Sequence, residues 1–177
     1  MRVAELEFAF RIGQDIEPRP VWTWEMDEVM ELVDGLFLGC EIPDSRYDDF
    51  VPVGAAQLIA DNACADRYVL GPEIKDWRDR DLIGHEISGW IEGSSVVNAS
   101  KGGNVLGDPR IAMTWIVNEL SMHGVKLFKG QFVTTGTCIV PLAIMVRWVE
   151  SKSNSRHDLA RWSSRTGRRS RTCSDAY

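Results

Sequence analysis

The most regular pattern in the chain lies at its start. From Val3 to Arg11 apolar and polar positions alternate with a period of two, the pattern of a half-buried strand. Ala4, Leu6, Phe8 and Phe10 fall on one face; Glu5, Glu7 and Ala9 fall on the other. Residues 14–20 contain two prolines and read as a loop. The period then changes. Thr23 is placed to cap a helix, with Glu25, Asp27 and Glu28 in the favourable first turn. Met26, Val29, Met30 and Val33 keep helical spacing, and Gly35 closes the segment. Residues 36–42 form a short apolar run and predict a strand. A short helix over 55–60, a short strand over 68–70 and a glycine-interrupted strand over 81–97 follow. Asp108 and Pro109 are a good N-cap and first helical residue. Ala112, Trp115, Ile116 and Leu120 make the apolar stripe of that helix, and Gly124 ends it. Residues 131–139 are rich in β-branched side chains and predict a last strand. The sum is an α+β domain with more strands than helices. Its order is not a regular strand–helix alternation, so no doubly wound sheet is expected.

Composition narrows the class. A chain of 177 residues suits one domain. The hydrophobic fraction is 44%, ordinary for a globular protein. No apolar run approaches a membrane span, and the first residues read as strand rather than leader. No CxxC pair occurs, and a cytoplasmic, reducing setting is expected. The net charge of −6 argues against a general nucleic-acid binder. It is also unevenly placed: residues 147–177 carry +5 and the rest −11. From Ser151 onward there are seven Ser and six Arg, without apolar period. We therefore divide the chain into a body, 1–146, and a basic tail, 147–177. The tail reads as unfolded, because it has too little apolar surface to offset its ordering entropy. A basic arm for nucleic acid is the less favoured alternative.

Candidate chemistry sits on the acidic face of the first strand. Glu5 and Glu7 point the same way. Two like charges that close repel unless water or a cation separates them. Glu41, where the second strand turns polar, is a third candidate. Three carboxylates suit a hard ion such as Mg²⁺ or Mn²⁺. The plain alternative is the wet face of an edge strand. Asp44 and Arg46 either orient Glu41 or pair at the surface, and Asp61 is equally open. His123 lies just before Gly124 and fits a helix C-cap. The run Lys101–Gly107 is a turn and lacks the phosphate-loop pattern.

Five segments in order carry a resemblance. They are Glu5-Leu6-Glu7-Phe8-Ala9-Phe10, Glu41-Ile42-Pro43-Asp44-Ser45-Arg46, and Ala60-Asp61-Asn62-Ala63 with Val69-Leu70-Gly71. The last two are Asn104-Val105-Leu106-Gly107-Asp108-Pro109 and residues 129–137, ending in Thr135-Gly136-Thr137. Over residues 1–143 the chain resembles the 2-keto-4-pentenoate hydratase branch of the fumarylacetoacetate hydrolase superfamily. The resemblance implies that Glu5, Glu7 and Glu41 hold a divalent metal, Mg²⁺ or Mn²⁺. It places Gly136 and Thr137 beside the substrate. Asn62 stands where hydrolase members tend to carry lysine, which favours a hydratase. The implied fold is the β-rich mixed roll of the fumarylacetoacetase C-terminal-like type, usually a homo-oligomer.

The implied reaction is addition of water to a 2-hydroxypenta-2,4-dienoate-type acid, giving a 4-hydroxy-2-oxo acid in aromatic-compound catabolism. The implied partner is a small 2-oxo acid. Decarboxylation of 4-oxalocrotonate-like acids and carbon–carbon hydrolysis share the scaffold. The family also implies a lysine and an acid ahead of the first strand and a Gly-Asp continuation after Gly136. Neither has a counterpart here, so the catalytic acid–base groups are unassigned. The roll is accordingly expected to be incomplete at both ends. The abrupt turn to Ser and Arg resembles translation out of frame. A non-catalytic remnant is thus a further expectation.

Overall fold

The spine of the fold is β1 (Val3–Ile12). The computed structural model describes residues 3–19, 21–91, 95 and 97–144, and the backbone of 160–164 and 171–172. β1 pairs antiparallel with β2 (Val33–Ile42) on one side and β6 (Phe132–Thr137) on the other. β3 (Arg67–Glu73) extends the sheet beyond β2. β7 (Leu142–Ala143) pairs with the start of β1. A second sheet has the order β5-β4-β8-β9, with β4 at Glu86–Ile91, β5 at Val97–Lys101, β8 at Ala160–Ser164 and β9 at Arg171–Thr172. The helices are α1 (Met26–Glu31), α2 (Ala55–Ala60) and α3 (Pro109–Met122). The fold is the expected β-rich α+β type. The 146/147 boundary and most of the basic tail lie outside the described residues, apart from the backbone of β8 and β9.

Alternation along β1 builds the core. Ala4, Leu6, Phe8, Phe10 and Ile12 are buried on one face and join Leu36, Leu38, Ile87, Met113 and Val117. The second sheet packs on that face. Gly89 of β4 touches down where a Cβ would stand 2.9 Å from both Leu6 and Leu142. A larger residue there would push the sheets apart. Asn118 docks α3 on the segment before α1, accepting from the Trp24 N–H at 2.6 Å and donating to its carbonyl at 3.0 Å.

Three boundaries differ from the sequence reading. The N-cap of α1 is Glu25, not Thr23, and Glu25 and Glu28 form a reciprocal capping box. The helix stops at Glu31, and Val33 and Gly35 already belong to β2. The 81–97 segment is not one strand. Asp81 accepts from the Gly84 N–H at 2.9 Å in a turn, and β4 starts only at Glu86. On α3, Asp108 caps as expected, accepting from the Arg110 N–H. The buried face, however, is Pro109, Met113, Val117 and Ser121, while Trp115 is 59% exposed.

Candidate metal centre

The acidic face of β1 lies opposite the core face. Glu5 pairs in register with Glu41, and Glu7 with Gly39. Residues 37, 39 and 41 of β2 share that face, because side chains alternate. Toward the far end it is covered by Phe37 and Phe132, whose rings meet edge-on at 5.3 Å, with the Arg11 guanidinium 5.3 Å from the Phe37 centroid. At the near end stand the carboxylates. One oxygen of each of Glu5, Glu7 and Glu41 lies within 4.8 Å of the others. The structure thus brings together the three residues picked from the sequence.

Glu7 is 2% exposed. A bulge in β6 explains how it is held. Glu7 faces Thr137 and Ala9 faces Thr134, so two residues of β6 oppose one of β1. Gly136 sits in that bulge at φ +94, a conformation that favours glycine. Its N–H donates to Glu7 Oε2 at 3.3 Å, and the Thr134 hydroxyl also bonds Glu7. Burial, then the charges of Glu41 and Glu5, still push the Glu7 carboxyl up to about 7. Burial and Glu41 likewise raise Glu5. Among the described residues, no lysine or arginine forms an ion pair with any of the three; the arginines pair elsewhere, as in Arg11–Asp34 and Arg110–Asp108.

Such a donor set fits a hard divalent cation. Oxygen ligands 2.0–2.6 Å from an ion stand about 3–4 Å apart in a compact shell, so a small closure of this trio would suffice. Acid-only donors, without His or Cys, favour Mg²⁺-like over Zn²⁺-like ions.

The other sequence candidates fall at different distances from this centre. Gly136 touches Glu7 directly. Thr137 is the register partner of Glu7, but its hydroxyl donates to the Ile139 carbonyl at 2.9 Å. Asn62 is exposed at the head of a left-handed turn, Asn62–Cys64, and among the described residues is not hydrogen-bonded to the carboxylates. Arg46 pairs with Asp61, Nη1 to Oδ1 at 2.5 Å. Asp61 also accepts from the Ser45 hydroxyl at 2.8 Å and the Arg46 N–H at 3.1 Å. With the Asp44 N–H donating to the Cys64 carbonyl at 2.9 Å, this latches the loop after Glu41 to the turn after α2. Arg46 and then Ser45 hold the Asp61 carboxyl below its ordinary range. His123 is the C-cap residue of α3, as its place before Gly124 predicts.

Sequence reasoning missed Tyr68. It pairs with Glu41 on β3, and burial and the nearby Glu7 drive its phenol well above the ordinary range. Its only sequence signal is its place two residues before Leu70-Gly71 in the third strand-like run.

No family model matches the sequence. The chain is 30% identical over 120 residues to 4-oxalocrotonate decarboxylase of Pseudomonas sp. strain CF600, covering 66% of this chain and 44% of that protein. It is 28% identical over 142 residues to 2-hydroxyhexa-2,4-dienoate hydratase of Comamonas testosteroni, covering 79% and 52%. Among solved structures it resembles 4-oxalocrotonate decarboxylase from Pseudomonas putida G7 complexed with magnesium and adipate. There the TM-score is 0.73 at 21% identity, over 92% of this chain and 56% of that one. A protein from Yersinia pestis CO92, described as of the fumarylacetoacetate hydrolase family, aligns with TM-score 0.60 at 14% identity, covering 94% and 70%. The fold is that of the fumarylacetoacetate hydrolase superfamily. The decarboxylase and hydratase relatives support the resemblance to the 2-keto-4-pentenoate hydratase branch. The chain spans about half the length of the curated relatives it matches. Among the described residues no helix is long and apolar enough to cross a membrane.

Proposed function

We propose that Glu5, Glu7 and Glu41 hold a divalent cation, Mg²⁺ or Mn²⁺, and that this centre takes a small 2-oxo acid. The reaction is hydration of a 2-hydroxypenta-2,4-dienoate-type acid to a 4-hydroxy-2-oxo acid. The observation that carries the reading is the convergence of the three carboxylates to within 4.8 Å on one face of the β1–β2 ladder. When bound, the cation supplies Lewis acidity for negative charge developing on an oxygen of the acid. The chain's own residues prepare that seat. The Gly136 N–H and the Thr134 hydroxyl fix the Glu7 carboxylate. A Cβ built on Gly136 meets no atom within 4 Å, so the bulge leaves open space beside Glu7. Gly136 and Thr137 line that space for the acid, and Asn62 lies on the loop latched to the strand end carrying Glu41.

A second reading is decarboxylation of a 4-oxalocrotonate-type acid. The 30% identity to a protein of that name, and the TM-score of 0.73 to another, favour it. One assay separates the two. The 177-residue chain is mixed with 2-hydroxypenta-2,4-dienoate, or with 4-oxalocrotonate, in Mg²⁺ or in chelator. Metal-dependent decay of the dienol absorbance without CO₂ release supports hydration. CO₂ released from 4-oxalocrotonate supports decarboxylation. No acceleration of either, with the chain folded, leaves a non-catalytic family fragment.

A further inference from the structure

Tyr68 stands beside the carboxylates in a condition that needs a reason. It is the register partner of Glu41, but its ring leans across the neighbouring row. A Cβ on Gly39 would lie 2.2 Å from the Tyr68 hydroxyl and 2.4 Å from Cζ, so only glycine leaves room for it. Gly39 is in turn the register partner of Glu7. The hydroxyl therefore rests over the row that carries Glu7. It is sealed from solvent and, among the described residues, has no hydrogen-bond partner. A buried donor left unpaired costs free energy, and such groups in folded proteins call for an explanation.

We propose that Tyr68 is a positioning residue for Glu7: as the three carboxylates close on a divalent cation, the Tyr68 hydroxyl donates to a Glu7 oxygen and fixes its orientation. The inference rests on reading the trio as a cation site. A carboxylate has about four acceptor positions. Gly136 and Thr134 occupy two at Glu7, which leaves one for the cation and one for Tyr68. Ligating carboxylates are commonly held by such outer donors, and losing one costs 10–100-fold in metal affinity.

The test is Tyr68→Phe in the full chain, which keeps the ring over Gly39 and removes only the hydroxyl. Mg²⁺ affinity is read by calorimetry, and the thermal midpoint is taken in chelator and in Mg²⁺. The expected result is an affinity loss of about tenfold. In chelator the midpoint is unchanged or higher, because an unpaired buried donor is gone. A hydroxyl with a merely structural role would lower it. Tyrosine absorption is also expected to shift on Mg²⁺ addition in the parent chain and not in Tyr68→Phe. Equal Mg²⁺ affinity in the two chains would overturn the positioning role and leave the cation site standing. No Mg²⁺ uptake by the folded parent chain would overturn the cation reading, and this inference with it.

Discussion

Glu5 and Glu41 are direct partners in the antiparallel ladder of β1 and β2. Like charges placed directly opposite on one sheet face are destabilising. Evidently the fold tolerates this pair, and it adds Glu7 to the same face with an oxygen within 4.8 Å of theirs. A bound cation would turn that mutual repulsion into shared attraction.

The first prediction removes one charge. Glu41→Gln should stabilise the chain in chelator by about 0.5 kcal/mol, within the 0.2–1 kcal/mol typical of a cross-strand charge pair. The same substitution should abolish stabilisation by Mg²⁺. Urea unfolding in chelator and in Mg²⁺ checks both signs in one experiment.

Acidity gives the second. Glu7 is raised to about 7 by burial and by Glu41, and Glu5 is raised by burial and by Glu41. In the folded chain both keep protons that the unfolded chain has lost. The unfolded state then binds fewer protons, so stability falls as pH rises from about 4.5 toward 7 and levels off above that. For Glu7 a rise from 4.5 to about 7 amounts to roughly 3 kcal/mol. Unfolding free energies from pH 5 to 8 in chelator should show that decline, and Glu7→Gln should flatten most of it.

The latch behind Glu41 titrates in the opposite sense. Asp61 is held low first by Arg46 and then by Ser45. Its contribution is complete above the ordinary aspartate range and is lost as pH falls through its lowered value. Arg46→Ala leaves the buried Asp61 carboxylate without its charge partner. We expect a lower thermal midpoint at pH 7 and a smaller acid-induced drop than in the parent chain, read by circular dichroism.

Gly136→Ala probes the bulge. No atom blocks the new Cβ, so the cost is conformational, from a φ of +94. About 1–2 kcal/mol is expected for a non-glycine residue in that region. If the backbone shifts to relieve it, the N–H aimed at Glu7 moves as well. Mg²⁺ affinity should therefore fall together with stability, as calorimetry and denaturation on the same variant will show.

Much of this is legible in the sequence. β1 announced itself because its core face, Ala4 to Ile12, recurs at every second residue, and Asp108-Pro109 is a self-contained helix start. The misread parts depend on tertiary context. Val33 fits helical spacing as well as it fits a strand, and packing in β2 decides. Trp115 looks like core by composition, yet α3 buries the row with Met113 and Val117 and leaves Trp115 outward. At the centre, Glu5 and Glu7 were visible as a pair. Glu41 was a third candidate because the second strand turns polar there, but its place opposite Glu5 needs the β1–β2 register. Tyr68 needs three strands in register and a missing side chain at Gly39, which no local pattern encodes.

Glu5, Glu7 and Glu41 are proposed to form a cation site. Calorimetric titration of the chain with Mg²⁺ at pH 8, beside Glu7→Gln, tests it most directly. Saturable uptake of one ion per chain, lost in Glu7→Gln, is the expected result. At a hundredfold excess over Kd, the parent chain should also gain about 2.7 kcal/mol of stability. A folded chain that takes up no Mg²⁺ or Mn²⁺, or takes them up equally well as Glu7→Gln, would contradict it.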